Sequence, residues 1–358
     1  MKRHYLMTLA LGVLAMFKSY AQDTPETPSF AVGADISWIT EMEARGEKFY
    51  NYQGKERECT ALMKELGVNA IRLRVWVDPK DGWNGKEDVL EKAERAHKLG
   101  MPIMIDFHYS DSWADPGQQF KPKAWKNKSF EEIKTALATH TQDILKALKA
   151  KGITPQWVQV GNEIRPGLLW DENVNLSGAA YDVKEKDVKG QNSTSEHIKY
   201  PKNFKNLVGY VNAGYDAVKT VFPHSIVIIH IDNAWDDQTW WFDQFKENGG
   251  KMDMIGLSHY PQTNPDKTWQ EMNRLALTHT EEWAKKYGVK VMIAEVGVKQ
   301  SSAESPQVLK EFMDGARQIK DCAGVFYWEP ESSGWNGGYD MGAFKDGKPT
   351  PIMDAFTK

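Results

Sequence analysis

Residues 66–76 read Leu66-Gly67-Val68-Asn69-Ala70-Ile71-Arg72-Leu73-Arg74-Val75-Trp76. The glycine closes a helical pattern, because a residue without Cβ takes the left-handed conformation that ends a helix at little cost. The residues after it alternate polar and apolar at a period of two, the signature of a strand. Helix, glycine and strand in one short stretch mark the return half of a βα repeat. The same handover recurs at Leu99-Gly100-Met101 and at Tyr287-Gly288-Val289.

Outward from there, β-branched and apolar runs predict strands at 31–37, 70–75, 102–107, 157–160, 226–230, 254–258, 289–294 and 324–328. Amphipathic segments at 54–66, 89–99, 130–151, 204–221, 269–287 and 306–320 read as helices between them. Eight short strands separated by helices fit a single (β/α)8 TIM barrel. The main rival, a doubly wound open sheet, usually shows a Gly-rich phosphate turn after its first strand. Val32-Gly33-Ala34-Asp35 contains no such turn.

The ends of the chain divide as 1–21, an export signal; 22–30, a polar leader; and 31–358, one barrel. Lys2, Arg3 and His4 precede an apolar run from Leu6 to Phe17, and Ser19-Tyr20-Ala21 places small residues before Gln22. That is the order of a secretory signal, so cleavage near Ala21 and a secreted location past the inner membrane are expected. No later apolar run reaches the roughly 20 residues of a membrane helix. A long polar insertion, 171–202, follows the fourth strand.

With 41% hydrophobic and 26% charged residues among 358, the chain is a folding one rather than a disordered one. The net charge of −4, from 45 Lys+Arg against 49 Asp+Glu, offers no electrostatic footprint for nucleic acid. Cys59 and Cys322 are too few for a disulfide framework or a zinc cluster, although export permits them to pair. The chain reads as a monomer. Fourteen tryptophans are the compositional excess. Trp38, Trp76, Trp83, Trp113, Trp125, Trp170, Trp235, Trp240, Trp241, Trp328 and Trp335 fall at or after strand ends, whereas Trp157, Trp269 and Trp283 read as packing. The pattern predicts an aromatic rim on one face, and flat rings of that kind stack on sugars.

Barrel chemistry sits where strands end. Those ends carry Asp35 with Trp38; Arg72, Arg74 and Trp76; Asp106, His108, Asp111, Trp113 and Asp115; Asn162 and Glu163; His230, Asp232 and Asn233; His259 and Tyr260; Glu295; and Trp328 with Glu329. Glu163 and Glu295 each follow an apolar run directly, and strands four and seven face each other across a barrel mouth. Two facing carboxyls are the apparatus of glycoside cleavage, one protonating the leaving oxygen and the other attacking or activating water. A single glutamate at a strand end is as readily an ordinary salt bridge; the pair is the signal. Arg72 or Arg74 is expected to keep Glu295 ionised, which in turn disfavours a charge on Glu163. His108, His230 and His259 invite a metal reading, but strand one lacks the histidines common in metallohydrolase barrels. No catalytic metal is expected, and each histidine orients a carboxylate or meets a sugar hydroxyl.

The stretch Asp106-Phe107-His108-Tyr109-Ser110-Asp111-Ser112-Trp113-Ala114-Asp115-Pro116 resembles the signature of the family 53 glycoside hydrolases, the endo-β-1,4-galactanases. So does Gly161-Asn162-Glu163-Ile164-Arg165-Pro166-Gly167-Leu168-Leu169-Trp170, and shorter matches fall at 33–37, 72–79, 229–233 and 327–330. The resemblance runs from about Ala31 to the C-terminus. It implies a retaining barrel hydrolase with Glu163 as acid/base and Glu295 as nucleophile. Arg72, Asn162, Tyr260 and Trp328 would position the nucleophile and the sugar. The implied substrate is the β-1,4-galactan backbone of type I arabinogalactan, cut internally; a barrel acting on another β-1,4-glycan such as mannan, or a binding barrel without turnover, are the alternatives. Two departures stand out. Glu331-Ser332 follows Trp328-Glu329-Pro330 where relatives usually continue Ala-Trp. The loops after strands seven and eight, which hold calcium in some bacterial members, are short or lack acidic clusters here, so no structural calcium is expected.

Overall fold

The computed structural model describes residues 27–170 and 201–357. Eight parallel strands close on themselves. They are β1 (Ala31–Asp35), β2 (Ala70–Val75), β3 (Ile103–Phe107), β4 (Trp157–Val160), β5 (Ile226–Ile231), β6 (Met254–His259), β7 (Lys290–Val296) and β8 (Cys322–Trp328). Each pairs with its successor and β8 pairs with β1, which makes the expected (β/α)8 barrel. The main helices are α1 (Ile39–Ala44), α2 (Cys59–Glu65), α3 (Lys86–Lys98), α4 (Phe130–Ala150), α5 (Pro201–Val221), α6 (Thr239–Glu247), α7 (Trp269–Tyr287) and α8 (Ser305–Gln318).

The period of two seen in β2 decides which side chains meet. Ile71, Leu73 and Val75 face outward into the large core between strands and helices. Ala70 faces inward, in a second cluster with Ala31, Met104, Trp157, Ile228, Met254, Met292 and Phe326 that plugs the barrel floor. Gly33 is required there: a Cβ on it would lie 2.2 Å from a ring carbon of Phe326. One layer above this plug the inward positions turn polar, beginning with Asp35, Arg72, Asp106 and Gln159, all fully buried.

The helix expected over 54–66 begins only at Cys59. The Glu58 carboxylate accepts the N–H groups of Thr60 and Ala61, which fixes the first turn, and the preceding residues form a hairpin of Phe49–Tyr50 with Glu56–Arg57. Strand β1 stops at Asp35 because its carboxylate accepts from both the N–H and the hydroxyl of Ser37 and turns the chain. Three of the expected rim tryptophans belong to the core instead, among them Trp125, buried against His140 of α4. Trp241 is fully buried and stacked on Phe245 within α6, and Trp170 is buried against Phe120. Cys59 and Cys322 are buried free thiols, so the permitted disulfide is not formed. The expected signal, most of the leader, and the insertion up to residue 200 lie outside the described residues. Among those described, no helix is long and apolar enough to cross a membrane.

Candidate active site

The polar layer above the plug is organised by Arg72. Its guanidinium, fully buried, bonds the carboxylates of Asp35 at 2.7 Å, Asp106 at 2.9 Å and Glu295 at 2.9 Å. The same group reaches the amide oxygen of Asn162 at 2.9 Å. An arginine can serve so many acceptors because its donors lie in a planar fork and it never loses its charge. The second oxygen of Glu295 accepts the hydroxyl of Tyr260 at 3.0 Å. Burial lifts the Glu295 carboxyl above its ordinary range, with Arg72 and then Tyr260 pulling it back. Among the described residues Glu163 has no such cation. Burial, then the charges of Glu295 and Asp232, push it well above the usual range, and only the Ser258 hydroxyl counters them. For this coupled pair the charge rests on Glu295 and the proton on Glu163.

Backbone strain holds Glu163 in place. The residue has φ +47°, in the left-handed region that a β-branched or long side chain adopts rarely, and Gly161 before it has φ +85°. The strand turns sharply between them and throws the Glu163 side chain over the mouth. Its N–H donates to Nδ1 of His230 at 3.3 Å, as does the Gln159 amide at 3.0 Å. His230 is therefore a neutral imidazole, consistent with burial and the Arg72 charge driving its pKa far down. Its Nε2 lies 2.9 Å from Ser258 Oγ, and its Nδ1 lies 2.9 Å from the Asn162 amide oxygen as well. His108 is locked by its own set of donors. Its Nδ1 accepts from Trp76 and from the Ala114 N–H, so its Nε2–H donates to Asp106 at 3.0 Å.

Beside this centre lies an aromatic cluster. Trp38 packs against Trp113, Trp328 and Tyr339 with ring centroids 5.9, 5.1 and 5.7 Å apart, and Trp76 packs against Trp113 at 5.2 Å. The Arg74 guanidinium sits beneath the rings of Trp38, Trp76 and Trp113 at 5.3, 5.6 and 4.5 Å. Its charge is answered by the buried Glu329, which also accepts the Trp38 N–H.

The structure thus brings Asp35, Arg72, His108, Asn162, Glu163, His230, Tyr260 and Glu295 into one connected centre, flanked by Trp113 and Trp328. Asp111 is spent on loop construction, accepting the N–H groups of Asp78 and Lys123. Asp115 does the same for Gly117 and for the Gln118 side chain, while its charge still acts on Glu163. Asp232 forms a bidentate pair with Arg165 at 2.7 and 3.0 Å and holds Asn233. His259 points away from the mouth: it bonds Asn273 of α7, packs on Phe312 of α8, and burial lowers it to about 4. The three histidines therefore do not converge, and among the described residues no group of His, Cys, Asp or Glu is arranged for a metal. Of the two arginines offered for Glu295, Arg72 is the partner.

Sequence reading missed four contributors. Gln159 and Ser258 are buried polar residues among apolar strand neighbours, a period-two signal that was present. Tyr339 enters the cluster from a short turn with no pattern of its own. Glu331, the departure from the family pattern, is wholly buried beside Glu329.

A parallel barrel whose mouth holds one charged and one protonated carboxyl beside a bank of aromatic rings defines a glycoside hydrolase. The chain belongs to glycosyl hydrolase family 53, whose family model matches residues 31–353. It is 32% identical over 356 residues to an arabinogalactan endo-beta-1,4-galactanase of Cellvibrio japonicus, covering 92% of this chain and 87% of that one. It is 28% identical over 325 residues to a probable arabinogalactan endo-beta-1,4-galactanase A of Neosartorya fischeri, covering 83% of each. Among solved structures, a fungal beta-1,4-galactanase superposes with a TM-score of 0.76 at 25% identity, covering 91% of this chain and 98% of that one. The GH53 catalytic domain of Ignisphaera aggregans does so with a TM-score of 0.76 at 26% identity, covering 93% and 97%.

Proposed function

We propose that the chain is a retaining endo-β-1,4-galactanase acting on the galactan of type I arabinogalactan, with Glu163 as acid/base and Glu295 as nucleophile. The observation that carries the assignment of roles is the asymmetry of the two carboxyls. Glu295 is held as an anion by Arg72 and Tyr260, whereas among the described residues Glu163 faces negative charges and a serine hydroxyl. In the first step Glu163 gives its proton to the glycosidic oxygen while a Glu295 oxygen attacks the anomeric carbon. The bond to the leaving chain breaks and a glycosyl ester forms. In the second step the Glu163 carboxylate takes a proton from water, whose oxygen attacks the same carbon and releases Glu295.

Positive charge develops at the anomeric carbon in both steps. Asp35, Asp106 and Glu295 against the single Arg72 leave the layer beneath it negative, which favours that charge. The galactan specificity and the internal cutting are supported by the names of the relatives, which are endo-beta-1,4-galactanases. A metal has no step in this scheme. The reading includes a secreted monomer, cleaved near Ala21.

Incubation with β-1,4-galactan, mannan and cellulose, followed by sizing of products and by NMR of the first-formed anomer, tests the proposal. Oligosaccharides of β configuration from galactan alone are expected. No release from galactan, or an α anomer formed first, defeats it.

A further inference from the structure

Next to the acid, on the side away from the tryptophan cluster, lies a groove of about 540 Å³. It is built by the loop after β5, carrying Asn233, Trp235 and Asp236, and by the loop after β6, carrying Asn264 and Asp266, with Arg165 at its inner end. Its volume is in the range of small-molecule sites. The loops are braced internally: Thr263 bonds the Tyr260 carbonyl, Asn264 accepts the Asp266 N–H, and Gln238 holds one oxygen of Asp236. The inner wall is coupled to the catalytic centre, since Arg165 is two residues past Glu163 and Asp232, its partner, acts on the Glu163 charge.

We propose that this groove binds the leaving-group end of the chain as a neutral saccharide and, through Asp236 and Asp266, rejects an anionic one. The inference rests on the glycanase reading above and deepens it. An acid protonates the oxygen of the leaving sugar, so the leaving chain extends on the side of Glu163, where this groove begins. Trp235, half-buried and outside the aromatic cluster, supplies a stacking face, and Asn233 and Asn264 supply amides for hydroxyls. Among the described residues the charge balance is negative, although the Arg165 charge also acts on Asp236. Arg165 is already neutralised by Asp232, and Lys267 at the rim turns to Glu271, while Asp236 and Asp266 have no ion-pair partner among the described residues. A carboxylate on the leaving sugar would enter against two solvent-exposed like charges.

The test uses galactohexaose with its reducing end converted either to the neutral alditol or to the anionic aldonate, at pH 7 and low salt. The wild-type enzyme is expected to cut the alditol about tenfold faster at the bonds nearest that end, with the ratio falling as salt is added. Asp236→Asn with Asp266→Asn should bring the alditol-to-aldonate rate ratio to about one. Trp235→Ala should lower kcat/KM about tenfold on both, while an aryl galactobioside, which carries no sugar on the leaving side, is unaffected. Equal rates on alditol and aldonate in the wild type, or a difference that survives the double substitution, overturns the groove assignment alone. Failure to cut the neutral alditol overturns the galactanase reading and this inference with it.

Discussion

Arg72 and Arg74 leave the same strand two residues apart, both fully buried, both pointing into the barrel, yet they govern different neighbourhoods. Arg72 is surrounded by three carboxylates and two amides and touches Glu295 itself. Arg74 meets one carboxylate closely, Glu329, has Asp35 only at 4.0 Å, and otherwise lies under aromatic faces. The first arrangement spends its charge on the reacting group. The second spends it on holding three tryptophan rings in register, since a guanidinium is attracted to a ring face and Glu329 fixes where it sits. Burial and residue type are the same in both; the acceptors around each charge decide whether it serves chemistry or shape.

The partner carboxylates offer the hardest test of that division. Glu295→Gln is expected to lower kcat by about 10⁴-fold or more, as loss of a nucleophile does, while the protein remains folded. Glu329→Gln should leave kcat within roughly tenfold and show its cost as a lower Tm; comparable losses of kcat in the two would erase the distinction. Next come the arginines. Arg72→Met should cost about 10²–10³-fold in kcat/KM and move the acid limb of the pH profile upward, because Glu295 loses the cation that keeps it ionised. Arg74→Met should act on stability, by about 3–5 kcal/mol in denaturant titration, because it strands a buried Glu329. An unmoved acid limb in Arg72→Met would remove that residue from its role.

A smaller effect is expected at Glu331. Burial and the neighbouring Glu329 raise its carboxyl well above the ordinary 4.5, so the folded state binds a proton that the unfolded chain releases. The contribution is harmless below pH 4.5 and becomes destabilising as pH rises from there toward the folded value. Glu331→Gln should therefore match the wild type at pH 4 and melt higher at pH 7, the gap widening with pH. A gap that is constant or inverted means the site is not protonated. Least of all, a chelator should leave activity on galactan unchanged, and a loss restored by calcium would return the cation to the scheme.

Most of the barrel was legible because its signal is periodic. Alternation in β2, an apolar run in β5, and glycine at Gly67, Gly100 and Gly288 mark strands and helix ends by backbone chemistry that depends on nearest neighbours. Glu163, Glu295, Arg72, Tyr260 and Asn162 were legible for the same reason, since the end of a barrel strand is a fixed place. What escaped depends on contacts distant in sequence. That Asp111 clamps Asp78 and Lys123, that His259 turns to Asn273, and that Trp241 faces inward all follow from which loop packs on which, and local pattern carries none of it. The hairpin ahead of α2 escaped because an amphipathic pattern does not show that Glu58 closes the helix behind it.

The two thiols have a practical consequence. Cys59 and Cys322 are sealed in the core, and burial pushes Cys322 up to about 11 and Cys59 well above its usual value, so neither offers thiolate to an oxidant. With no covalent crosslink to make, the described barrel has the same bonds in glutathione as in air. Its assembly should be indifferent to the redox state of the compartment, and a form beginning near Gln22 should fold in a reducing cytoplasm as well as outside the cell.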